Sequence, residues 1–502
     1  MKLTELLKDF EYELFGEDVE INHLTIDSRN VRKNTLFICI EGFRVDGHNF
    51  IEEASKAGAV AFIVSKDISV PKGVSVAKVS NSRYAMAFIA HRFYGFDNTS
   101  TRLIGITGTN GKTSSAFYMQ KVLMEALGGE INNLNEDINT FNNTIKGTKK
   151  VGLIGTVDTK INDEQLKIDF ATSTTPDSIE LMQILSIMSE KGAQNIVMEV
   201  TSHALLLHKV ENLRFAVSIF TNLTRDHLDL HGTMENYRDA KAKLFAQSDV
   251  SVINIDDEYG SFMAKICPKT YTYSVDKESD FKALNLIFTE SGSAFDLKID
   301  GKLYNFELPI LGKFSVYNAL GVIVAAIVLG VEVPIIQHSI KNLNSVPGRI
   351  EKVENSLGIN LIVDYAHTPD SLISIINTAL EFTKGRVITV FGCGGDRDKT
   401  KRPIMGKISA ENSNLTIITS DNPRTEDPLQ ILKDIEAGIE KGEYVLIEDR
   451  EEAIKFAINN AKKGDTVIIA GKGHENYQIF KDKTIEFDDA EVARQILGHC
   501  KK

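Results

Sequence analysis

The sequence predicts an α/β protein with mostly parallel sheets, divided over about three domains. The length indicates the number of domains, because the chain has 502 residues and one domain takes roughly 150. Short β-branched runs, each followed by a polar or glycine-rich loop, indicate the fold class; they lie at Arg102–Thr107, Ile196–Val200 and Ala216–Thr221. Strands that alternate with loops and helices favour a parallel sheet. We place the domains at residues 1–98, 99–346 and 347–502.

The N-terminal domain is predicted to be a small α/β unit. β-like segments lie at Leu36–Ile40 and Val60–Val64, and a helical pattern covers Asn81–Tyr94. In the central domain, the strand at Arg102–Thr107 leads through glycines into another helical pattern. The polar, Asn-rich segment 128–150 shows neither periodicity, so we expect a loop insertion or a frayed hairpin there.

The C-terminal domain is expected to begin near Pro347-Gly348, a pair typical of a domain junction. Four apolar runs follow, and each ends in a polar or glycine-rich loop: LIVDYAHTPD, VITVFGCGGDRD, LTIITSDNPR and TVIIAGKGHE. Ligands of open parallel sheets bind outside the carboxyl ends of the strands. We therefore expect the four loops to converge at one edge of the sheet and to form a site there.

Composition and charge disfavour several classes of partner. The balance of 57 Lys and Arg against 69 Asp and Glu gives a net charge of −12, which argues against broad contact with nucleic acid. The longest apolar run, Ala319–Val331, is shorter than the roughly 18 residues that a membrane span requires. The N-terminus lacks the order of a secretory signal, and the four cysteines include no C-x-x-C pair. We expect a cytoplasmic monomer that acts on small molecules, without disulfides or zinc.

A phosphate-binding loop is the most specific single motif. Residues Gly105–Ser114 read GITGTNGKTS between a predicted strand and a predicted helix, and backbone N–H groups of such a loop can hold phosphate oxygens. The Lys112 ammonium would neutralise phosphate charge, and the Thr113 hydroxyl would bind Mg²⁺. Ile106 stands where the generic pattern has glycine, so the loop is a variant, and a plain glycine-rich turn is the alternative. The pattern predicts ATP or GTP binding.

Together with this loop, further motifs resemble those of the Mur ligases, the ATP-dependent amide-forming enzymes of peptidoglycan precursor synthesis. They follow the family's order: TGTNGKT, MEVTSH, TNLTRDHLDLHG, YRDAKAKLF, LGKFSVYNAL and DYAHTPDSL. The branch that forms the tripeptide is indicated by IDSRNV, STTPDS, GCGGDRDKTKRP, DNPR and GKGHENYQ. The resemblance covers the chain from end to end. It implies an N-terminal UDP-binding α/β domain, a central P-loop ATPase domain and a C-terminal Rossmann-like domain.

The resemblance also implies the chemistry, in which the γ-phosphoryl group of ATP activates a carboxylate as an acyl phosphate that an amine then attacks. Mg²⁺ would be bound by Thr113, Glu199 and His227, and Lys241 matches a family lysine that CO₂ converts to a carbamate (N6-carboxylysine), which would also position the metal. A solvated lysine on a helix face is the alternative for Lys241. The expected catalytic residues are Lys112, Glu199, His227, Lys241 and Arg349. The expected ATP-binding residues are Gly108, Thr109, Asn110, Gly111, Lys112, Thr113, Ser114, Asn318, Arg349 and Asp364.

Two substrate sites follow from the same resemblance. A diamino dicarboxylic acid such as meso-diaminopimelate has a second zwitterionic end, which needs a guanidinium for its carboxylate and an acidic group for its ammonium. The matching residues are Arg397, Asp421, Asn422, Pro423, Arg424, Gly471 and Glu475, although DNPR alone is also a good turn sequence. The residues matching the UDP-MurNAc-L-Ala-D-Glu site are Ser28, Phe43, Arg44, Val45, Thr174, Thr175, Thr201 and Lys209. Leu207 and Lys209 replace a Gln and an Arg that are frequent in the family.

Several alternatives remain open at this point. Asn318 could serve as an N-cap of the apolar helix that follows it, instead of or besides contacting a nucleotide. A lysine-adding Mur ligase or a folylpolyglutamate synthase would share the ATPase centre, but DNPR and IDSRNV argue against both. A non-catalytic nucleotide switch would bind ATP without forming an amide, and ADP release that depends on the amino acid would distinguish it from a ligase.

Overall fold

The structure is a computed structural model that describes residues 1–42, 45–69, 72–96, 100–128, 149–166, 174–289 and 291–499. Two residues predicted for the UDP site, Phe43 and Arg44, lie outside the described residues, as does most of the Asn-rich segment 128–150. In the described part of the chain, no helix combines the length and the apolar character that crossing a membrane requires.

The N-terminal part confirms two predicted strands and one predicted helix. Its strands are β1 (Glu13–Phe15), β2 (His23–Thr25), β3 (Thr35–Ile38), β4 (Ala59–Val64) and β5 (Ser75–Lys78), and its helices are α1 (Leu3–Leu6), α2 (Ile51–Ala57) and α3 (Ser82–Tyr94). The strand order is β1-β5-β4-β3-β2, in which β1 is antiparallel and the others are parallel. The side chain of Asn81 caps α3, so this predicted helix is confirmed almost to the residue.

The central sheet is parallel in its middle and antiparallel at both ends. Its strands are β6 (Arg102–Thr107), β7 (Lys150–Ile154), β8 (Thr159–Ile161), β9 (Glu164–Gln165), β10 (Ala193–Glu199), β11 (Phe215–Phe220), β12 (Ser248–Asn254), β13 (Thr270–Ser274), β14 (Phe281–Thr289), β15 (Gly292–Ile299) and β16 (Lys302–Leu308). The order is β16-β15-β14-β13-β12-β11-β6-β10-β7-β8-β9. Because β11, β6 and β10 are adjacent and parallel, the loops that follow them meet at one edge of the sheet.

The helices of the central part bury this sheet on both faces, as expected for parallel strands. They are α4 (Lys112–Gly128), α5 (Ser178–Glu190), α6 (Ser202–Leu206), α7 (Leu228–His231), α8 (Met234–Ala246), α9 (Gly260–Met263), α10 (Lys313–Val328) and α11 (Val333–Lys341). An apolar core continues from Ile63 of β4 through Ile89 of α3 and Leu185 of α5 to Ile196 of β10. The N-terminal and central sheets are therefore joined by shared packing.

The C-terminal sheet confirms the four predicted strands. Its strands are β17 (Glu351–Lys352), β18 (Asn360–Asp364), β19 (Val387–Phe391), β20 (Leu415–Ile418), β21 (Tyr444–Leu446) and β22 (Thr466–Ala470), and β23 (Tyr477–Ile479) pairs with β24 (Thr484–Glu486). The order is β17-β18-β22-β19-β20-β21, and from β18 to β21 all neighbours are parallel. The helices are α12 (Pro369–Phe382), α13 (Lys401–Asn412), α14 (Pro428–Glu436), α15 (Arg450–Asn460) and α16 (Asp489–His499). Each sheet lies within one predicted domain; the domain boundaries themselves stay predictions.

Candidate functional site

The loop between β6 and α4 has the geometry of a phosphate-binding loop. Gly108 and Gly111 adopt positive φ angles of 154° and 86°, which glycine tolerates best. The loop is fixed from the neighbouring strand end, because Asn222 accepts the backbone N–H of Asn110 at 2.9 Å through its side-chain oxygen. The Lys112 ammonium donates to the carbonyls of Gly108 and Thr109, each at 2.9 Å. A cation and a helix N-terminus thus face the same loop, which suits a bound phosphate.

Glu199, the last residue of β10, is a buried carboxylate beside this loop. Its Oε2 atom accepts a hydrogen bond from the Thr113 hydroxyl at 3.0 Å, and its Oε1 atom accepts the backbone N–H of Thr156 at 2.8 Å. Hard oxygen donors at this spacing fit Mg²⁺, which usually takes one or two carboxylates and fills its other positions with water and phosphate oxygens. Among the described residues, no three His, Cys, Asp or Glu side chains form a metal-binding group.

Lys241 of α8 lies inside the protein, so the alternative of a solvated lysine on a helix face is wrong. The residue is 1% exposed, and its Nζ atom donates to the Gly108 carbonyl at 2.9 Å. The ammonium also lies 4.7 Å from the ring centroid of Tyr237. Burial, with the nearby positive charge of Lys112, holds the pKa of Lys241 well below its usual value. A lysine of lowered pKa keeps a larger fraction of its amine neutral, and the neutral amine is the form that reacts with CO₂.

A cavity of about 320 Å³, here called the junction cavity, lies between the phosphate loop and the C-terminal sheet. Asn110, Gly111 and Asn318 line it from the central part, and Arg349 and Asp364 line it from the C-terminal part. Asp364 ends β18, where it accepts the backbone N–H groups of Ile350 and Ala366. Of the predicted ATP-binding residues, Asn110, Gly111, Ser114, Asn318, Arg349 and Asp364 therefore line one cavity, whereas Gly108, Thr109, Lys112 and Thr113 do not line it.

The position of Asn318 shows that the N-cap alternative is wrong. Gly312 is the N-cap of α10, and Asn318 lies inside that helix. Its side chain packs on the phosphate loop, since a Cβ atom added to Gly111 would lie 2.2 Å from the Asn318 Oδ1 atom. Arg349 contacts the face of Tyr365, with its guanidinium carbon 4.5 Å from the ring centroid.

A second cavity of about 550 Å³, the sheet-edge cavity, confirms that the four C-terminal loops converge. Its lining from these loops includes Tyr365, His367, Gly394, Arg397, Asp398, Asp421, Asn422, Arg424, Gly471, Glu475 and Tyr477. Its lining from the central part includes His203, Arg225, Asp226, His227 and Asp229. The cavity thus joins the edge of the C-terminal sheet to the region of the phosphate loop.

Charges of both signs line the sheet-edge cavity. The Asn422 amide donates to the Glu475 carboxylate at 2.7 Å, and the buried Lys472 ammonium lies 3.4 Å from the same carboxylate oxygen. Arg424 adopts a left-handed conformation with φ 54° and donates from Nη1 to the Gly395 carbonyl at 2.8 Å. A zwitterionic ligand could find a guanidinium and a carboxylate here. Pro423, which was also predicted for the amino-acid site, lines a neighbouring cavity and not this one.

Four residues expected at the UDP-MurNAc-dipeptide site gather near Glu199. The Thr175 hydroxyl donates to the Glu199 carbonyl at 2.9 Å and lies 3.4 Å from the Thr201 hydroxyl. The Lys209 ammonium donates to the Thr175 carbonyl at 3.3 Å. The Thr174 hydroxyl lies 3.0 Å from that of Thr156. Ser28 begins a short 3₁₀ turn (Ser28–Asn30), and Val45 is exposed.

Several residues that line the sheet-edge cavity escaped the sequence analysis. The ring centroids of His203 and His227 lie 4.9 Å apart, and the Nδ1 atom of His367 donates to the Tyr365 carbonyl at 2.8 Å. Lys401 donates to the His367 carbonyl at 2.8 Å. Burial lowers the pKa of both His227 and His367 to about 4. His203, His367 and Lys401 all lie within the motifs given above. Their charged or titratable side chains, a few positions from the predicted site residues, could have identified them.

The fold and this site define a phosphate-loop α/β protein with a second ligand cavity at the edge of a separate parallel sheet. Models of the Mur ligase family match most of the chain: the Mur ligase middle domain at residues 106–326, the domain described as Mur ligase, glutamate ligase domain at 348–473, and that described as Mur ligase family, catalytic domain at 20–94. The chain belongs to the Mur ligase family.

Two similar sequences and one similar solved structure carry the same name. A UDP-N-acetylmuramoyl-L-alanyl-D-glutamate--2,6-diaminopimelate ligase of Clostridium tetani is 44% identical, over 99% of this chain and 99% of the relative. The ligase of the same name in Alkaliphilus metalliredigens is 45% identical, over 99% of this chain and 97% of the relative. A solved structure of a ligase with this name is 30% identical and has a TM-score of 0.68, covering 100% of this chain and 99% of that chain. The three-domain α/β fold of the family is therefore the fold of this chain.

Proposed function

We propose that the protein is an ATP-dependent ligase that joins meso-diaminopimelate to UDP-MurNAc-L-Ala-D-Glu, with release of ADP and phosphate, in the synthesis of peptidoglycan precursors. The similarity to ligases of this name over nearly the whole chain supports the proposal. The single structural observation behind it is the sheet-edge cavity, which places Arg424 and the Asn422–Glu475 pair in the same space as His227. Cations and carboxylates in one cavity suit an amino acid with two zwitterionic ends.

The nucleotide end of the reaction is assigned to the phosphate loop and the junction cavity. We propose that Gly108–Ser114 hold the phosphates through backbone N–H groups, and that Lys112 and Arg349 neutralise the charge that develops as the γ-phosphoryl group leaves ADP. The carboxylate of the nucleotide-linked dipeptide would attack the γ-phosphorus, giving an acyl phosphate. The amine of the incoming amino acid would then attack the acyl carbon and displace phosphate. Asn318 and Asp364 would position the nucleotide from the two sides of the junction cavity.

A metal ion fits the oxygen donors beside the loop. We propose that Thr113 and Glu199 hold Mg²⁺, with His227 and a carbamate on Lys241 as further ligands. The metal would offset the repulsion between two anionic substrates. Burial of Lys241 at 1% exposure supports a modified lysine, because the unmodified ammonium, removed from water, is offset in the described part of the chain by the Gly108 carbonyl and the face of Tyr237 and by no carboxylate in hydrogen-bond contact.

The nucleotide-sugar substrate is assigned to the region between the N-terminal and central sheets. Ser28 and Val45, with Phe43 and Arg44 beyond the described residues, would contact the UDP part. Thr174, Thr175, Thr201 and Lys209 would contact the dipeptide, since hydroxyls and a cation suit a carboxylated peptide. Their position beside Glu199 supports this assignment, because the carboxylate that is activated must reach the phosphate loop.

An ADP-release assay tests the proposed function. Purified protein is given ATP, Mg²⁺ and UDP-MurNAc-L-Ala-D-Glu, and then meso-diaminopimelate, L-lysine or L-ornithine in separate reactions. We expect ADP release that depends on both substrates and is fastest with meso-diaminopimelate. Fast ADP release without any amino acid would indicate a nucleotide hydrolase or switch, and release with lysine alone would indicate a lysine-adding ligase.

A further inference from the structure

An ion pair between a buried arginine, Arg402, and a half-buried carboxylate, Glu426, lies behind the two loops that carry Arg397 and Arg424. Arg402, on the first turn of α13, is fully buried and donates through both terminal nitrogens to the Glu426 carboxylate, each at 3.0 Å. The same guanidinium donates to Asp434 of α14 at 2.7 Å. Neither Arg402 nor Glu426 lines the sheet-edge cavity. The pair therefore cannot act by touching a ligand there.

The pair is connected to both loops. The Glu426 carboxylate accepts the backbone N–H of Asp396 at 2.7 Å, and Arg402 also donates to the Gly394 carbonyl at 3.3 Å. Both Asp396 and Gly394 belong to the loop after β19, whereas Glu426 belongs to the loop after β20. One carboxylate thus holds the two loops together, and the Lys399 ammonium, 2.9 Å away, adds a second cation.

The backbone held in this way is strained. Asp396 and Arg424 both have φ 54°, a left-handed conformation that costs free energy for residues other than glycine. Further bonds join the loops, among them those from the Gly395 N–H to the Asn422 carbonyl at 2.9 Å, from the Thr425 hydroxyl to Asp396 at 2.7 Å, and from Arg424 to the Gly395 carbonyl at 2.8 Å. Strained residues persist only where several surrounding contacts hold them in place. The Glu426 carboxylate supplies the charged contact among those that hold these two loops.

We infer that Arg402 and Glu426 are positioning residues for the amino-acid substrate: they set the two loops so that Arg397 and Arg424 can engage its distal end. The inference rests on the proposed function. A buried ion pair is by itself weak evidence for a role in stability, since apolar replacements often fold as well. The connection to both loops is what distinguishes this pair from an ordinary structural one. Arg402 and Asp396 hold the Glu426 carboxylate by charge-assisted bonds, which are the stronger kind.

The test compares Glu426→Gln with a matched control at the other end of the same sheet. Asp465, which is 5% exposed, accepts bonds from the Arg386 guanidinium at 3.1 and 2.9 Å, near the amino ends of β19 and β22. Asp465 accepts a similar set of hydrogen bonds to that of Glu426, but it lies at the opposite end of the strands from the two loops. Asp465→Asn should therefore lower the melting temperature without changing recognition of the amino acid.

We expect Glu426→Gln to raise the KM for meso-diaminopimelate about tenfold or more, with kcat changed less than about threefold and the KM for ATP less than about twofold. Asp465→Asn should leave all three parameters within about twofold. If Glu426→Gln does not fold, Arg402→Lys, which keeps the charge but loses the two-pronged contact, is measured in its place with the same expectation.

Three results would overturn the inference. One is a folded Glu426→Gln protein with a KM for meso-diaminopimelate within about twofold of the wild type. Another is an equal rise in the KM for meso-diaminopimelate in Asp465→Asn. The last is failure of both Glu426→Gln and Arg402→Lys to fold, because the pair would then stabilise the whole domain and not position the two loops. Failure of the proposed function is recognised separately, because the wild-type protein itself would then show no ADP release that depends on meso-diaminopimelate.

Discussion

Lys112 and Lys241 donate hydrogen bonds to the same carbonyl oxygen, that of Gly108, each at a distance of 2.9 Å. Two ammonium groups on one acceptor repel each other, and the pKa of each is lowered, chiefly by burial. Conversion of Lys241 to an anionic carbamate would replace this repulsion with attraction. The arrangement connects the phosphate loop to the lysine on which the proposed catalysis depends.

Lys241→Ala is expected to keep the fold and lose most ligase activity. The substitution removes the amine that would be carbamylated, whereas the helix tolerates alanine well. The rate of ADP release under saturating substrates measures the effect, and thermal unfolding monitors the fold. Lys243→Ala is the matched control, because Lys243 lies on the same helix and its ammonium donates only weakly, at 3.4 Å, to the Leu205 carbonyl. Near-normal turnover of Lys241→Ala would contradict the carbamate proposal.

Gly111→Ala should weaken ATP binding by about tenfold or more. Its φ of 86° disfavours a side chain, and an added Cβ atom would lie 2.2 Å from the Asn318 Oδ1 atom, so Asn318 or the loop must move. Titration calorimetry with ATP or a non-hydrolysable analogue gives the dissociation constant. Gly128→Ala, at the other end of α4 with no atom within 4 Å of the added Cβ, serves as the control. Equal affinities in the two variants would show that the loop does not bind the nucleotide.

Arg424→Asn should raise the KM for meso-diaminopimelate by roughly 30-fold to 1000-fold, the equivalent of about 2–4 kcal/mol. Asparagine is chosen because it tolerates the left-handed backbone of Arg424, so the loss reports the guanidinium and not the loop conformation. Initial rates at varied amino-acid concentration measure it. Lys433→Ala, an exposed cation on the following helix α14, should leave the KM unchanged. Unchanged kinetics in Arg424→Asn would remove this residue from the amino-acid site.

Much of this fold could be predicted from local patterns. The β6 and α3 segments were identified almost to the residue, because β-branched runs and an Asn cap are signals carried by adjacent residues. The convergence of the four C-terminal loops also followed, since parallel strands place their carboxyl ends at one edge. The antiparallel strands β14–β16 were not predicted, because no short loop motif marked them as a unit.

The parts of the site that could not be predicted depend on contacts between distant residues. Arg402 meets carboxylates 24 and 32 positions away, and nothing in its neighbours distinguishes it from a surface arginine. The left-handed backbone of Arg424 is likewise set by the surrounding loops. Asn318 was open to an N-cap interpretation because the helix start could not be placed, and the structure puts that start at Lys313.

The free energy of unfolding should fall as the pH is lowered from about 6.5 to about 4. Burial, assisted by the charge of Lys401, lowers the pKa of His367 to about 4 in the folded protein, below the 6.5 of a free imidazole. Between these pH values the unfolded chain binds a proton that the folded protein does not. The contribution of His367 to stability is therefore fully present above the pKa of the unfolded chain, and it is lost as the pH falls towards the pKa of the folded protein. Urea unfolding at several pH values measures the trend.

The variant His367→Gln isolates the contribution of this imidazole. Glutamine keeps a hydrogen-bonding side chain but does not titrate, so the variant should lose less stability than the wild type between pH 6.5 and 4.5. Buried histidines whose pKa does not depend on His367, such as His231 with its pKa also lowered to about 4, remain in both proteins and cancel in the comparison. Identical losses in the two proteins would show that His367 does not resist protonation.

The most direct test is a competition between amino acids for the wild-type enzyme. The protein is incubated with ATP, Mg²⁺, UDP-MurNAc-L-Ala-D-Glu and equal concentrations of meso-diaminopimelate and L-lysine, and the nucleotide-linked products are resolved by mass spectrometry. Lysine lacks the second carboxylate that Arg424 is proposed to bind, so the product should be almost entirely the meso-diaminopimelate tripeptide. Comparable amounts of the two tripeptides, or an excess of the lysine product, would contradict selection at the sheet-edge cavity.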